Sequence, residues 1–287
     1  MNENNLNINW YPGHMAKTKR LITDDLKLVD AVAEIVDARV PVSSRNPDLL
    51  HIIGSKPHII LLNKADMADV HITQKWEDYF KSLGIPAIPV DSKTGMGINA
   101  FKDTVKSALS GKLAVYKEKG MTGKKLRVMV VGVPNVGKSS FINKIVGNNR
   151  AKVENRPGVT RSNQWFSVDK ELELLDTPGV LWPKFDDEIV GEHLAFTGSI
   201  SDRILDIELL AMRLLDILIR YYPKMLDERF KITDFSDEQY DNLCKLAVKR
   251  GMIIKGGEPD TERVAQKLLE EFRNCKLGRI TLEVPDA

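Results

Sequence analysis

The sequence predicts a doubly wound, mostly parallel α/β sheet followed by an all-helical C-terminal domain. Three observations carry that prediction. Short apolar runs alternate with helix-patterned segments up to about residue 180, as βαβ crossovers require. One run, 126–131, ends in Gly132 and leads through Gly137-Lys138-Ser139 into a helical pattern. Beyond about residue 186 the strand pattern stops, and helical segments punctuated by Gly198, Pro223 and 251–257 take over.

Taken in order, residues 1–9 read as a frayed tail, and Pro12-Gly13 marks a turn within 10–15. A helix is expected over 16–29, a strand over 31–36, and a loop through Pro41, Ser43, Ser44, Asn46 and Pro47. A short helix over 48–54 precedes an apolar run at 58–62, which enters Asn63-Lys64-Ala65-Asp66. A helix over 73–83 stops at Gly84, and a strand over 85–90, interrupted by Pro86 and Pro89, enters Asp91-Ser92-Lys93. A helix follows over 98–109, and 111–125, with three glycines and five lysines, reads as an exposed linker. The next helix covers 138–145, and 164–168 with 171–175 reads as a hairpin around Asp169-Lys170. Helices are expected over 188–196, 204–222, 237–250 and 261–274. The expected division is an N-terminal segment at 1–30 packing on the α/β domain, that domain at 31–186, and the helical domain at 187–287.

Composition bounds the rest. A chain of 287 residues suggests two domains, and 43% hydrophobic residues suffice for packed cores. Lys and Arg number 42 against 40 Asp and Glu, a net charge of +2. That balance does not mark a nucleic-acid binder, although a local basic patch suffices for one. Cys244 and Cys275 are too few for a disulfide framework and are not spaced as metal ligands. A reducing, cytoplasmic setting is expected. The N-terminus lacks the basic start and apolar core of a secretory signal. The most apolar long stretch, 204–222, carries Asp206, Glu208, Arg213, Asp216 and Arg220, so it reads as a buried helix and no membrane association is expected.

The chemistry sits at strand ends. Successive backbone N–H groups of Asn135, Val136, Gly137, Lys138, Ser139 and Ser140 can converge on phosphate oxygens. Lys138 would reach the outer phosphates and the Ser139 hydroxyl would ligate Mg2+. In Asn63-Lys64-Ala65-Asp66, the acceptor-only Asp66 carboxylate can take both the ring N–H and the exocyclic amine of guanine. Adenine would face that carboxylate with a lone pair, so the pattern selects guanine. Asn63 would brace neighbouring loops and the Lys64 stem would cover the base. Alone, the tetrapeptide is a turn with a helix cap. With the phosphate loop it points to GTP and GDP. Asp91-Ser92-Lys93 follows the next strand, and the Ser92 N–H can donate to the guanine carbonyl. Asp176 can hold Mg2+ through a water, and the Gly179 N–H can meet the γ-phosphate. Thr160 either completes the Mg2+ shell or is an ordinary loop threonine.

Together these motifs resemble those of Era/Obg-like GTP-binding proteins, with one difference of order. Base-reading motifs at 63–66 and 91–93 precede the phosphate loop at 132–139, Thr160 and 176–179. The chain therefore resembles a circularly permuted P-loop GTPase. The stretches 10–17, 37–39 (Asp-Ala-Arg), 176–183 and 276–283 further resemble the bacterial ribosome biogenesis GTPase A family, over nearly the whole chain. Asp91 departs from the serine common in that base loop. The resemblance implies GTP hydrolysis with Mg2+, a role in late assembly of the large (50S) ribosomal subunit, contact with its rRNA, and release after hydrolysis. A cytoplasmic monomer is expected.

Many GTPases place glutamine after Asp-x-x-Gly to orient water. Here Val180 and Leu181 follow, so slow intrinsic turnover is expected, to be stimulated by the large subunit. His14 either packs in its Pro-Gly turn or accepts a proton from water, and the resemblance implies the second. Asn135 either forms the turn after Pro134 or helps to bind K+ beside the phosphates, as in related GTPases. Lys245, Lys249, Arg250, Lys255, Lys267, Arg273, Lys276 and Arg279, with Lys17, Lys19, Arg20 and the linker lysines, form phosphate-binding faces or solvated helix faces. The competing reading is a GTP-dependent regulatory binding module whose hydrolysis is incidental. In either, the permutation runs the switch loop after residue 179 directly into the helical domain.

Overall fold

A computed structural model describes residues 22–121, 123–147, 164–179 and 187–285. Six strands form one sheet: β1 (Ala31–Asp37), β2 (His58–Asn63), β3 (Ala87–Val90), β4 (Leu126–Val131), β5 (Gln164–Ser167) and β6 (Leu172–Asp176), in the order β3-β2-β1-β4-β6-β5. All neighbours are parallel except the β5–β6 hairpin. The register sets Asp37 opposite Asn63, Asn63 opposite Val90, and Val130 opposite Asp176. The ends of β1, β2, β3, β4 and β6 thus share one edge. The order reverses between β1 and β4, where ligands of open α/β sheets bind.

β1 is buried at all seven positions, as an interior parallel strand must be. On one face, Val32, Met129, Val131 and Leu175 pack with Ile22, Leu26 and Val29 and with Leu49 and Ile53 of helix α1 (Leu49–Ile53). Beside them Val36, Ile60 and Leu62 pack with Trp76 and Phe80 of α2 (Val70–Ser82). Glu34 is a polar exception on the central strand, held by Arg45 and His58 at 3.1 Å each. Right-handed crossovers place α3 (Ile98–Ala108) and α5 (Lys138–Val146) on the opposite face. There Phe101 and Phe141 meet edge to face with centroids 5.3 Å apart.

Residues 110–118 correct one expectation. They form helix α4 (Ser110–Glu118), not linker. Its Tyr116 is buried, with Lys124 Nζ 4.8 Å from the ring centroid. Lysine is a good helix former, and Gly111 is tolerated in the first turn.

The described chain groups into two compact units: 22–179 with 281–285, and 187–280. The second contains α6 (Glu188–Phe196), α7 (Ile207–Tyr221), α8 (Pro223–Phe230), α9 (Gln239–Lys249) and α10 (Thr261–Arg273). α7 buries Leu210, Ala211, Leu214, Leu215 and Leu218 at helical spacing, and Asp206 caps it by accepting from the Leu209 N–H. Pro223, read in the sequence as a stop, starts α8 from its first position, where its missing N–H costs nothing. Glu271, buried on α10, joins three helices. It accepts two bonds from Arg229 at 2.8 and 2.9 Å and one from Arg250 at 2.9 Å. Burial opposes its charge, but the hydrogen bonds and charge of Arg229 and the charge of Arg250 hold its pKa below the usual value.

Candidate active site

The phosphate loop leaves β4 at the reversal point and is closed by two near contacts. A Cβ on Gly132 would lie 2.6 Å from the Ile35 carbonyl oxygen. A Cβ on Gly137 would lie 2.3 Å from Asn63 Nδ2, and Gly137 has φ +95°. Asn135, at φ 63°, is also left-handed. Alternation of left- and right-handed residues turns successive N–H groups into one concavity, the geometry that binds phosphate. α5 then begins at Lys138, with Ser139 and Ser140 partly buried in its first turn.

Lys138 is buried, and its ammonium donates to Asp176 Oδ1 at 2.9 Å and to the Thr177 carbonyl. The Thr177 hydroxyl donates to the Val130 carbonyl at 2.9 Å, tying the end of β6 to β4. Gly179 lies against Pro134, where a Cβ would come within 3.1 Å of backbone. Asp-x-x-Gly and phosphate loop thus touch, and incoming phosphates would compete with Asp176 for Lys138. A hydroxyl and a carboxylate suit a hard cation, so Ser139 and Asp176 fit Mg2+.

The base side is assembled by Asn63. Its amide donates to the Val136 carbonyl at 2.6 Å, and its oxygen accepts the Ser92 hydroxyl at 2.7 Å and the Ser92 N–H at 3.3 Å. One side chain on β2 therefore joins the phosphate loop to the loop after β3. The Ser92 N–H, expected to face the base, is directed at Asn63. It would have to exchange that long bond to reach a guanine carbonyl. Asp91 shapes its own loop instead of facing a ligand, accepting the Lys93 N–H at 2.8 Å and the Thr94 hydroxyl at 2.6 Å. Burial works against its charge, but these bonds outweigh it and lower its pKa. Asp66 is half-buried, and among the described residues no hydrogen bond or ion pair takes its carboxylate.

Lys64 has a left-handed backbone, φ 59°, and its ammonium lies 2.9 Å from Asp37 Oδ2. Asp37 is also gripped by Arg39, with Nε 2.9 Å from Oδ1 and Nη2 2.8 Å from Oδ2. Burial opposes the Asp37 charge, but Arg39 and Lys64 together hold its carboxyl far below the usual range. In the sequence, Asp37-Ala38-Arg39 ends the strand over 31–36 and carries part of the family resemblance, with no role at the site assigned to it. The signal for its role was its place at a strand end, one strand away from Lys64.

His14 and Thr160 lie outside the described residues, as do Val180, Lys17, Lys19 and Arg20. Several cations read as phosphate-binding are engaged within the chain. Arg250 pairs with Glu271, Arg273 with Asp202 and two carbonyls, Lys245 with Asp234, and Lys267 and Lys276 with Glu270. Lys112 pairs with Asp30 and Lys125 with the Ser167 hydroxyl. Among the described residues Lys117, Lys119, Lys249, Lys255 and Arg279 make no ion pair.

The loops expected to read a base, 63–66 and 91–93, stand ahead of the phosphate loop in the chain, yet all meet at one sheet edge. That combination defines a circularly permuted P-loop GTPase. A family model described as "50S ribosome-binding GTPase" matches residues 127–240, beginning at the strand before the phosphate loop. The chain is 43% identical to ribosome biogenesis GTPase A of Bacillus cereus, over 97% of this chain and 94% of that protein. It is 34% identical to the Thermotoga maritima protein of that name, over 97% and 95%. The crystal structure of GNP-bound YlqF from T. maritima matches at TM-score 0.66 and 31% identity, covering 94% of this chain and 99% of that one. This chain belongs to the ribosome biogenesis GTPase A family, and it is a GTP hydrolase.

Proposed function

We propose that this GTPase binds a late precursor of the large ribosomal subunit in its GTP form, hydrolyses GTP as assembly completes, and then leaves. The observation that carries this reading is the extent of the likeness. Relatives named for ribosome biogenesis align with 97% of the chain, the helical unit as well as the sheet. Asp66 would read guanine, with Lys64 beside it and Asn63 and Ser92 closing the pocket. The N–H groups of residues 135–140 and Gly179, with Lys138, would bind the phosphates. Ser139, Asp176 and Thr160 would hold Mg2+, whose charge offsets that of the phosphates. His14 would orient water where Val180 cannot, and Asn135 would help to place K+. Lys249, Lys255 and Arg279 in the helical unit, and Lys117 and Lys119 in the other, would meet rRNA phosphates. No described helix is long and apolar enough to cross a membrane. We place the protein in the cytoplasm, as a monomer.

The test is GTP turnover in KCl with and without purified large ribosomal subunits. Stimulation of tenfold or more is expected, lost in His14→Ala at unchanged GTP affinity. Unstimulated turnover would sink the proposal and favour a GTP-bound regulatory module.

A further inference from the structure

We propose that the C-terminal segment 281–285 is a positioning element of the guanine site. The inference rests on the reading of Asp66 as the guanine acceptor. This segment follows the helical unit in the chain but groups with the α/β unit. Its contacts fall on the loops after β1 and β2. The buried Thr281 hydroxyl accepts the Asp69 N–H at 2.9 Å, three residues beyond Asp66. The Leu282 N–H donates to the Arg39 carbonyl at 2.8 Å. The Glu283 carboxylate accepts the Val42 N–H at 2.5 Å, the Ser43 N–H at 3.0 Å and the Ser43 hydroxyl. The Glu283 carbonyl accepts the Trp76 indole N–H of α2 at 2.9 Å.

The segment therefore clips one loop to the other. The first presents Arg39, which holds Asp37 and through it Lys64. The second presents Asp66. Hydrogen bonds to a carboxylate are about twice as strong as neutral ones, so Glu283 is the principal clasp. Asp66 must meet two guanine donors at once, and such bidentate contacts tolerate little displacement. Releasing the clasp lets the loops shift independently. The loss falls on binding of the base, in ground and transition states alike, so KM rises while kcat holds.

The experiment measures GDP and IDP dissociation constants, with GTP turnover, for wild type, Glu283→Ala, Glu283→Gln and Thr281→Val. IDP lacks the exocyclic amine that Asp66 would take. Glu283→Ala is expected to raise the GDP Kd at least fivefold and the IDP Kd less, so the preference for guanine shrinks. Saturated kcat should stay within twofold. Glu283→Gln keeps one acceptor oxygen but loses the charge and turns an amide NH2 toward the other donors, so it should recover only part of the affinity. Thr281→Val should weaken GDP about twofold or more. Unchanged GDP affinity in folded Glu283→Ala and Thr281→Val overturns the proposal, as does an equal loss for GDP and IDP. Should Glu283→Ala not fold, Thr281→Val decides by the same readouts. Asp66→Ala separates the two readings. If it binds GDP like wild type, the guanine assignment fails. If it weakens GDP while the segment variants do not, only the positioning role fails.

Discussion

Gly137 shows how little room a single residue has here. It needs a backbone that L side chains rarely adopt, and any Cβ would strike the Asn63 amide at 2.3 Å. Gly137→Ala should cost about 1–3 kcal/mol from backbone strain alone, with further loss from the collision. Asn63→Ala relieves the collision but forfeits its bonds to Val136 and Ser92, so the collision part is read from the coupling between the two substitutions. Urea unfolding and GDP binding of the single and double variants check this. An alanine variant binding GDP like wild type would show that the loop is not closed against Asn63. Asp37 offers a second residue-scale prediction. An unfolded aspartate takes up its proton near about pH 3.9, whereas folded Asp37 is held far lower. As pH falls through that window the unfolded state gains a proton that the folded state refuses, so stability falls. Asp37→Asn should lose less stability between pH 5 and 3 than wild type. At pH 7 it should be weaker by about 3–5 kcal/mol, because Arg39 and Lys64 lose their buried counter-charge. Urea midpoints across that range decide the matter.

At the scale of elements, caps and packing explain both what was legible and what was not. Helix α2 starts where Asp69 accepts the N–H groups of His71 and Ile72. Asp69→Ala should cost about 1 kcal/mol and lower the melting temperature by a few degrees. It should leave the bond to Thr281 intact, because that bond uses the Asp69 backbone. A melting curve that does not move would mean that α2 is held by its Trp76 and Phe80 face alone. Helices α4 and α8 were missed because Gly111 and Pro223 are ambiguous signs. Each breaks a helix interior but is tolerated in a first turn, and only packing reveals which applies. Tyr116 anchors α4, and Leu226 and Phe230 anchor α8.

For the whole molecule, connectivity is the main consequence of the permuted order. In the chain, the helical unit follows Gly179, which touches Pro134 of the phosphate loop, and precedes Thr281, which bonds to the Asp69 N–H. Rearrangement of residues after Gly179 on γ-phosphate loss should bias that unit. Hydrogen exchange over 190–280 should therefore differ between the GDP form and the form with a non-hydrolysable GTP analogue. Identical exchange would show that the link transmits nothing.

By itself the sequence determined the class of chemistry and the kind of sheet. A phosphate loop, a guanine-type tetrapeptide and an apolar strand are each set by residues adjacent in the chain. Local backbone geometry is enough to encode them. Their order along the chain showed the permutation. The tertiary structure alone decided which side chains meet. Asn63 reaches Val136 across 73 residues, and Glu283 reaches Ser43 across 240. Lys64 is paired with Asp37 rather than left to solvent, and among the described residues six of the basic candidates pair with internal carboxylates. The long-range pairings depend on strand order and register in the sheet and on helix packing beyond it. They leave no periodicity or spacing in the chain from which they could be read; only a local pair such as Lys267 with Glu270, three residues apart on one helix, does so.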